Sequence, residues 1–180
     1  MSNVGIISMG SMGTTIAHSI NHSGNIVHWS SEGRSDNTLN RARQIQNAVE
    51  HRTMKELFDT SDIVICIGRG GIAEETIELA SRHAYKGIYV DGNNLHGLES
   101  ELNIASIAES AGINYVEALF RGFPIGYDQG GGEDKRNLYL SGLWRSAKVI
   151  ESLFVDGIWK VEIVAESAKA LNRTRFKRLF

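Results

Sequence analysis

With 180 residues, of which 42% are hydrophobic and 22% charged, the chain suits one soluble globular domain with a sizeable core. The formal net charge of -2 provides no global field favouring nucleic acid or an anionic membrane, and no apolar run approaches the ~20 residues of a membrane helix. The single cysteine, Cys66, excludes an internal disulfide and a cysteine-rich metal site.

The N-terminus enters a strand-like run directly, without the charged and apolar regions of a signal peptide, so a cytoplasmic protein is expected. Val4 to Ile7 is a short apolar strand leading into a glycine turn. From Ser11 to Ser23, Met12, Ile16, Ala17 and Ile20 recur at helical spacing, and Gly24 suits the left-handed C-terminal cap. Ile26 to Trp29 reads as a second strand, Asn37 to Asn47 as a polar-faced helix, and Ala48-Val49 as a minimal third strand. Thr53 to Thr60 is a short helix in which Thr53 and Glu56 form a capping box. Ile63 to Ile67 is a fourth strand with Cys66 as a small core residue, followed by a helix over 72–82. A fifth strand at 87–90, a helix at 98–110 and the start of a sixth strand at 113–116 continue the rhythm.

The pattern then changes. Arg121 to Arg136 holds five glycines and Pro124, the only proline, and reads as a mobile loop. A strand at 138–140, a helix at 144–154, a strand at 158–164 and a last helix at 166–178 complete the chain. Apolar strands without alternation, separated by amphipathic helices, require a mostly parallel sheet covered on both faces. The fold class is α/β and doubly wound, with a main domain over 1–164 and an appended helix over 165–180.

The turn after the first strand carries Ser8, Met9, Gly10, Ser11, Met12 and Gly13. Gly10 and Gly13 occupy the second and third positions of G-x-G-x-x-G, and Ser8 takes the first, where its Cβ carries a conformational cost. A strand before and a helix after are the context in which such a turn cradles a dinucleotide pyrophosphate, so a Rossmann-type site is expected at Met9 to Gly13. The end of the second strand then chooses the cofactor. NAD-selective sites place an acid there for the ribose 2′-hydroxyl. This chain has Ser30, Ser31, Glu32, Gly33, Arg34 and Ser35. Hydroxyls and an arginine suit a 2′-phosphate, whereas Glu32 would repel one if it pointed inward. Ser30, Ser31, Arg34 and Ser35 are therefore read as an NADP site, with NAD as the alternative.

The run Gly5-Ile-Ile-Ser-Met-Gly-Ser-Met-Gly13 resembles the G-F-I-G-x-G-x-M-G of the 6-phosphogluconate dehydrogenase and β-hydroxyacid dehydrogenase superfamily. Ser61 to Cys66 is similar to its fourth strand, and Tyr89 to Asn94 to a strand ending in Asp, a small residue, then Ser or Asn. Gly33-Arg34-Ser35 and Leu138 to Gly142 resemble a poorly characterised phosphogluconate-dehydrogenase-like branch. The resemblance implies that Gly68, Arg69 and Gly70 lie near the nicotinamide ribose and Asn93 near the nicotinamide. It also implies that Lys169 is the acid/base group, with Asn172 three residues on and on the same helix face. Glu117 to Gly122 replaces the family's D-A-P-V-S-G, so Arg121 stands at the substrate-binding serine and Gly122 beside it; an arginine there could grip a carboxylate or phosphate. The family's second asparagine falls at Arg173.

These enzymes carry a long all-helical domain after the lysine-bearing helix, and the sequence stops at Phe180. A second copy or a partner chain, meeting the apolar Phe176, Leu179 and Phe180, is expected to complete the cleft. His18 and His22 lack a third ligand and an H-E-x-x-H glutamate, so no metal is expected. Gly130 to Gly132 precede an acidic pair and a strand, which does not make a phosphate cradle. Two functions share the remaining residues. One is an NADP(H)-dependent oxidoreductase acting on a small hydroxyacid, carbonyl or imine. The other is a non-catalytic NADP(H)-binding module.

Overall fold

The computed structural model describes residues 1–68, 72–93, 98–125, 136–155 and 158–165. The order is β1 (Asn3–Ile7), α1 (Ser11–His22), β2 (Ile26–Ser30), α2 (Asp36–Ala42), β3 (Val49–His51), α3 (Met54–Thr60), β4 (Ile63–Cys66) and α4 (Ile72–Arg82). Then follow β5 (Ile88–Asp91), α5 (Leu98–Ala111), β6 (Asn114–Arg121), β7 (Arg136–Gly142), α6 (Trp144–Glu151) and β8 (Trp159–Ala165). The strands form one eight-stranded sheet in the order β3-β2-β1-β4-β5-β6-β7-β8. Every pair is parallel except β6 with β7. This is the doubly wound, mostly parallel α/β fold that the sequence predicts. The winding reverses between β1 and β4, and in open α/β sheets such a reversal opens a crevice at the carboxyl ends of the strands.

The unbroken apolar strands have a simple physical reason. Alternate residues of one strand serve two cores. Val4, Ile6, Ile63 and Ile65 face one core with α1, α2 and α6, whereas Ile7, Val64 and Cys66 face a second core with α3, α4 and α5. The predicted capping box is present on α3: the Thr53 side chain accepts from the Glu56 N–H, and Glu56 accepts from the Thr53 N–H.

Several boundaries differ from the sequence expectation; α6, expected over 144–154, ends at Glu151. The second helix stops at Ala42 rather than Asn47, because tight turns from Arg41 to Ala48 lead the chain into β3 while burying Ile45. The sixth strand, whose start the sequence places at 113–116, continues through residues 117–121, so that Arg121, the first residue of the expected loop, is strand. β6 runs on to Arg121 because β7 pairs with it from Val116↔Gly142 to Arg121↔Asn137, with Ala118 and Phe120 in the core. β7 is correspondingly longer, Arg136–Gly142. Phe120, Phe154 and Trp159 form an aromatic cluster, and the Trp159 indole donates to Ser19 Oγ at 3.0 Å, tying β8 to α1. Among the described residues no helix is long and apolar enough to cross a membrane.

Candidate cofactor site

The turn between β1 and α1 assigns a separate physical role to each of its small residues. Ser8 has φ +74°, the left-handed conformation that glycine adopts without cost at the first motif position. Gly13 has no room for a side chain, since a Cβ would lie 2.2 Å from the Ser8 carbonyl oxygen; this is the close helix–strand contact. Gly10 is different. It caps α1 with φ −69° and ψ −176°, which any residue adopts, and a Cβ there would meet nothing within 4 Å. The protein alone has no need of glycine at this position. An anionic group lying on the turn does, and the first turn of α1 contains no acidic side chain to compete with it. The Met9 side chain is buried, so Met9 offers only backbone to a ligand, whereas Met12 is partly buried against the same core. Ser11 opens the helix and its carbonyl accepts from Thr15 Oγ1.

Downstream of β2 the hydroxyls are partly committed. Ser30 Oγ accepts from the Glu32 N–H at 3.2 Å, and Ser31 Oγ donates to the His51 carbonyl at 3.1 Å. The Glu32 carboxylate accepts from the Met54 N–H at 2.7 Å, at the start of α3. Glu32 thus supports α3, which answers part of the sequence-level objection to a 2′-phosphate. Gly33 turns the chain with φ +64°, and Ser35 Oγ lies 3.3 Å from Thr38 Oγ1. Glu32, Arg34, Met54, Ile72, Glu75 and Leu79 are among the residues lining a cleft of about 530 Å³ between the β2 end, α3 and α4. Arg41, which the sequence reading passed over, donates from Nε to the Met9 carbonyl at 3.3 Å. The spacing of Ser35, Thr38 and Arg41, three residues apart on one helix face, was the available signal.

At the ends of β4 and β5, Asn93 is buried and held on every side. Its Oδ1 accepts from the Gly68 N–H at 2.6 Å, and its Nδ2 donates to Asp91 Oδ1 at 2.7 Å and to the Cys66 carbonyl at 3.3 Å. Tyr115 donates to the other Asp91 oxygen at 3.2 Å. Asn93 therefore fixes the loop at Gly68, where a Cβ would strike Ile72 at 2.9 Å. Arg69 and Gly70 lie outside the described residues, as do Lys169, Asn172 and the predicted last helix. Cys66 is fully buried, and burial pushes its thiol pKa up, so it stays protonated. Arg121 is exposed at the end of β6. Gly122 follows with φ +134°, and the segment beyond is fastened by Arg136 Nε donating to the Phe123 carbonyl and by the Ile125 N–H donating to Thr15 Oγ1 on α1. Among the described residues no three His, Cys, Asp or Glu side chains could hold a metal ion together.

Comparison with known proteins agrees with this geometry. The NAD binding domain of 6-phosphogluconate dehydrogenase matches residues 3–130. No curated protein sequence matches the chain. Among solved structures, a conserved protein of unknown function, described as structurally similar to 3-hydroxyacid dehydrogenases, is 28% identical with a TM-score of 0.73; the match covers 96% of this chain and 62% of that one. The 3-hydroxyisobutyrate dehydrogenase of Mycobacterium tuberculosis is 14% identical with a TM-score of 0.74, over 99% of this chain and 60% of that one. A reductive aminase from Aspergillus terreus, solved with NADPH, is 15% identical with a TM-score of 0.72, over 99% of this chain and 60% of that one. The last two likenesses are of fold. The chain spans about three-fifths of the length of each of these structures.

Proposed function

Because this chain belongs to the family of NAD-binding domains of 6-phosphogluconate dehydrogenase, we propose that it is an NADP(H)-preferring domain of an oxidoreductase. The observation that carries the reading is Gly10, a glycine with open space around its missing side chain at the mouth of a helix. The pyrophosphate lies over Gly10 to Gly13, the adenosine turns toward the cleft beside Arg34, and the 2′-phosphate meets Arg34 and Ser35, with Ser30 and Ser31 shaping the strand end. The nicotinamide end reaches Gly68, Arg69 and Gly70, with Gly68 held by Asn93. The nucleotide-binding domain is the eight-stranded unit that ends with β8 at Ala165.

Bound NADP(H) supplies hydride chemistry. The chain's own part is to hold a small hydroxyacid, carbonyl or imine against it. Arg121 beside Gly122 offers a guanidinium to a carboxylate or phosphate on that substrate. Lys169 holds a proton for the substrate oxygen or nitrogen, and Asn172 orients it. A second copy or a partner chain meeting the C-terminal residues completes the cleft, in a cytoplasmic setting. A non-catalytic NADP(H)-binding module is the second reading, favoured by an arginine where the family places its substrate serine.

Calorimetric titration of the purified chain tests the cofactor. Saturable NADPH binding, tighter than NADH binding, is expected, and absence of binding by either nucleotide overturns both readings. With NADPH established, an absorbance assay over hydroxyacids, semialdehydes and imines separates the two. Turnover that Lys169→Ala abolishes supports the enzyme, and its absence from the full panel supports the module.

A further inference from the structure

We propose that Arg41 is a second cation of the NADP(H) 2′-phosphate site, in addition to Arg34, and decides the choice between NADP(H) and NAD(H). The proposal rests on the cofactor reading above. Arg41 lies on α2, away from the strand-end loop in which such a residue is normally sought. Its guanidinium is nevertheless anchored at the glycine turn, with Nε donating to the Met9 carbonyl at 3.3 Å and Nη2 to Thr38 Oγ1 at 3.3 Å. Thr38 Oγ1 lies in turn 3.3 Å from Ser35 Oγ, so one polar row joins the glycine turn to the segment after β2.

Three observations point to a ligand rather than to packing alone. The side chain is partly buried, yet among the described residues no carboxylate pairs with it, whereas its neighbour Arg43 pairs with Glu50 at 3.3 Å. Two of its five N–H groups are used by Met9 and Thr38; Nη1 and the second Nη2 proton have no acceptor among the described residues. The two bonds that are made fix the plane of the guanidinium, so a phosphate meets a fork already ordered. Charge balance adds a reason. Glu32 and Glu75 line the same cleft as Arg34 and Lys55, so its two acids offset its two basic side chains. A phosphate dianion needs a further positive group, and Arg41 is joined to its neighbourhood through Thr38 and Ser35. The pyrophosphate, by contrast, is already served by the start of α1.

Calorimetric titration with NADPH, NADH and 2′,5′-ADP tests the assignment on the wild-type chain, Arg41→Gln and Arg41→Lys, with thermal unfolding of each as the control for folding. Arg41→Gln should weaken NADPH and 2′,5′-ADP by about 10- to 100-fold, the worth of a charge-assisted hydrogen bond, and NADH by less than about threefold. Arg41→Lys keeps the charge but not the fork, and should lose NADPH-over-NADH selectivity by about three- to tenfold. Should Arg41→Gln fail to fold, Arg41→Lys decides, and unchanged selectivity overturns the proposal. Equal weakening of NADPH and NADH in Arg41→Gln also overturns it, leaving Arg41 as a clamp on the Met9 carbonyl. Wild-type protein that binds NADH but not 2′,5′-ADP fails the cofactor reading itself, and the proposal falls with it. Wild-type protein that prefers NADPH while Arg41→Gln keeps that preference fails the assignment of Arg41 alone.

Discussion

Gly10 and Gly13 sit three residues apart and answer to different forces. A methyl group at Gly13 meets the Ser8 carbonyl oxygen, so Gly13→Ala should lower stability by about 3 kcal/mol in urea unfolding, with binding lost alongside. A methyl group at Gly10 meets nothing, and its backbone tolerates alanine. Gly10→Ala should leave stability unchanged or raise it by about 0.5 kcal/mol through the unfolded chain. It should still weaken NADPH on the order of tenfold by calorimetry, about 1.4 kcal/mol. Unchanged affinity would remove the main support for a dinucleotide on this turn. The motif located both glycines, but separating the packing glycine from the ligand glycine required knowing where the Ser8 carbonyl lies.

Among the elements, α3 and the β4–β5 ends show local and non-local determination side by side. The α3 start is local: Thr53 and Glu56 are three residues apart, and their capping box follows from that spacing. Thr53→Ala should cost about 1 kcal/mol, read as a lower urea midpoint. Glu32 adds a bond to the same helix start across 22 residues, which no local pattern reveals. The Asn93 network adds to a local bond with Asp91 the non-local bonds that join the end of β5 to Gly68 and Cys66. Asn93→Ala leaves the Gly68 N–H and the Asp91 carboxylate without that partner, and about 2 to 3 kcal/mol of destabilisation is expected in the same assay. The Asn93 side chain bonds within the protein, to the Gly68 N–H, the Cys66 carbonyl and Asp91.

For the whole molecule, the edge of the sheet carries a pH dependence. His28 is buried on β2, stacked on His51 with their ring nitrogens 2.9 Å apart, and its other nitrogen lies 3.2 Å from Asn3 Oδ1. Burial, and then the neighbouring His51, hold the His28 pKa below its ordinary 6.5, against the opposing pull of Asp62. A histidine with a lowered native pKa favours the neutral ring. Its full contribution is present above 6.5; it declines as the pH falls below that value, because the unfolded chain takes up the proton first, and it levels off once the native ring is protonated. Urea midpoints should therefore fall between pH 7.5 and 5, and the fall should be shallower in His28→Gln. An equal slope in the two proteins would show that other groups carry the dependence.

The sequence by itself determined the doubly wound α/β fold, the two-faced burial of the sheet and the position of the glycine turn. These follow from apolar runs, helical spacing and short-range caps, all of which act over a few residues. Only the tertiary structure decided that residues 117–121 continue as strand, because their order depends on pairing with β7. It likewise turned Glu32 toward α3 and brought Arg41 onto the Met9 carbonyl, 32 residues away in the chain. A side chain's partner across such a distance is set by where the sheet and helices come to rest, and one-dimensional periodicity carries no record of that.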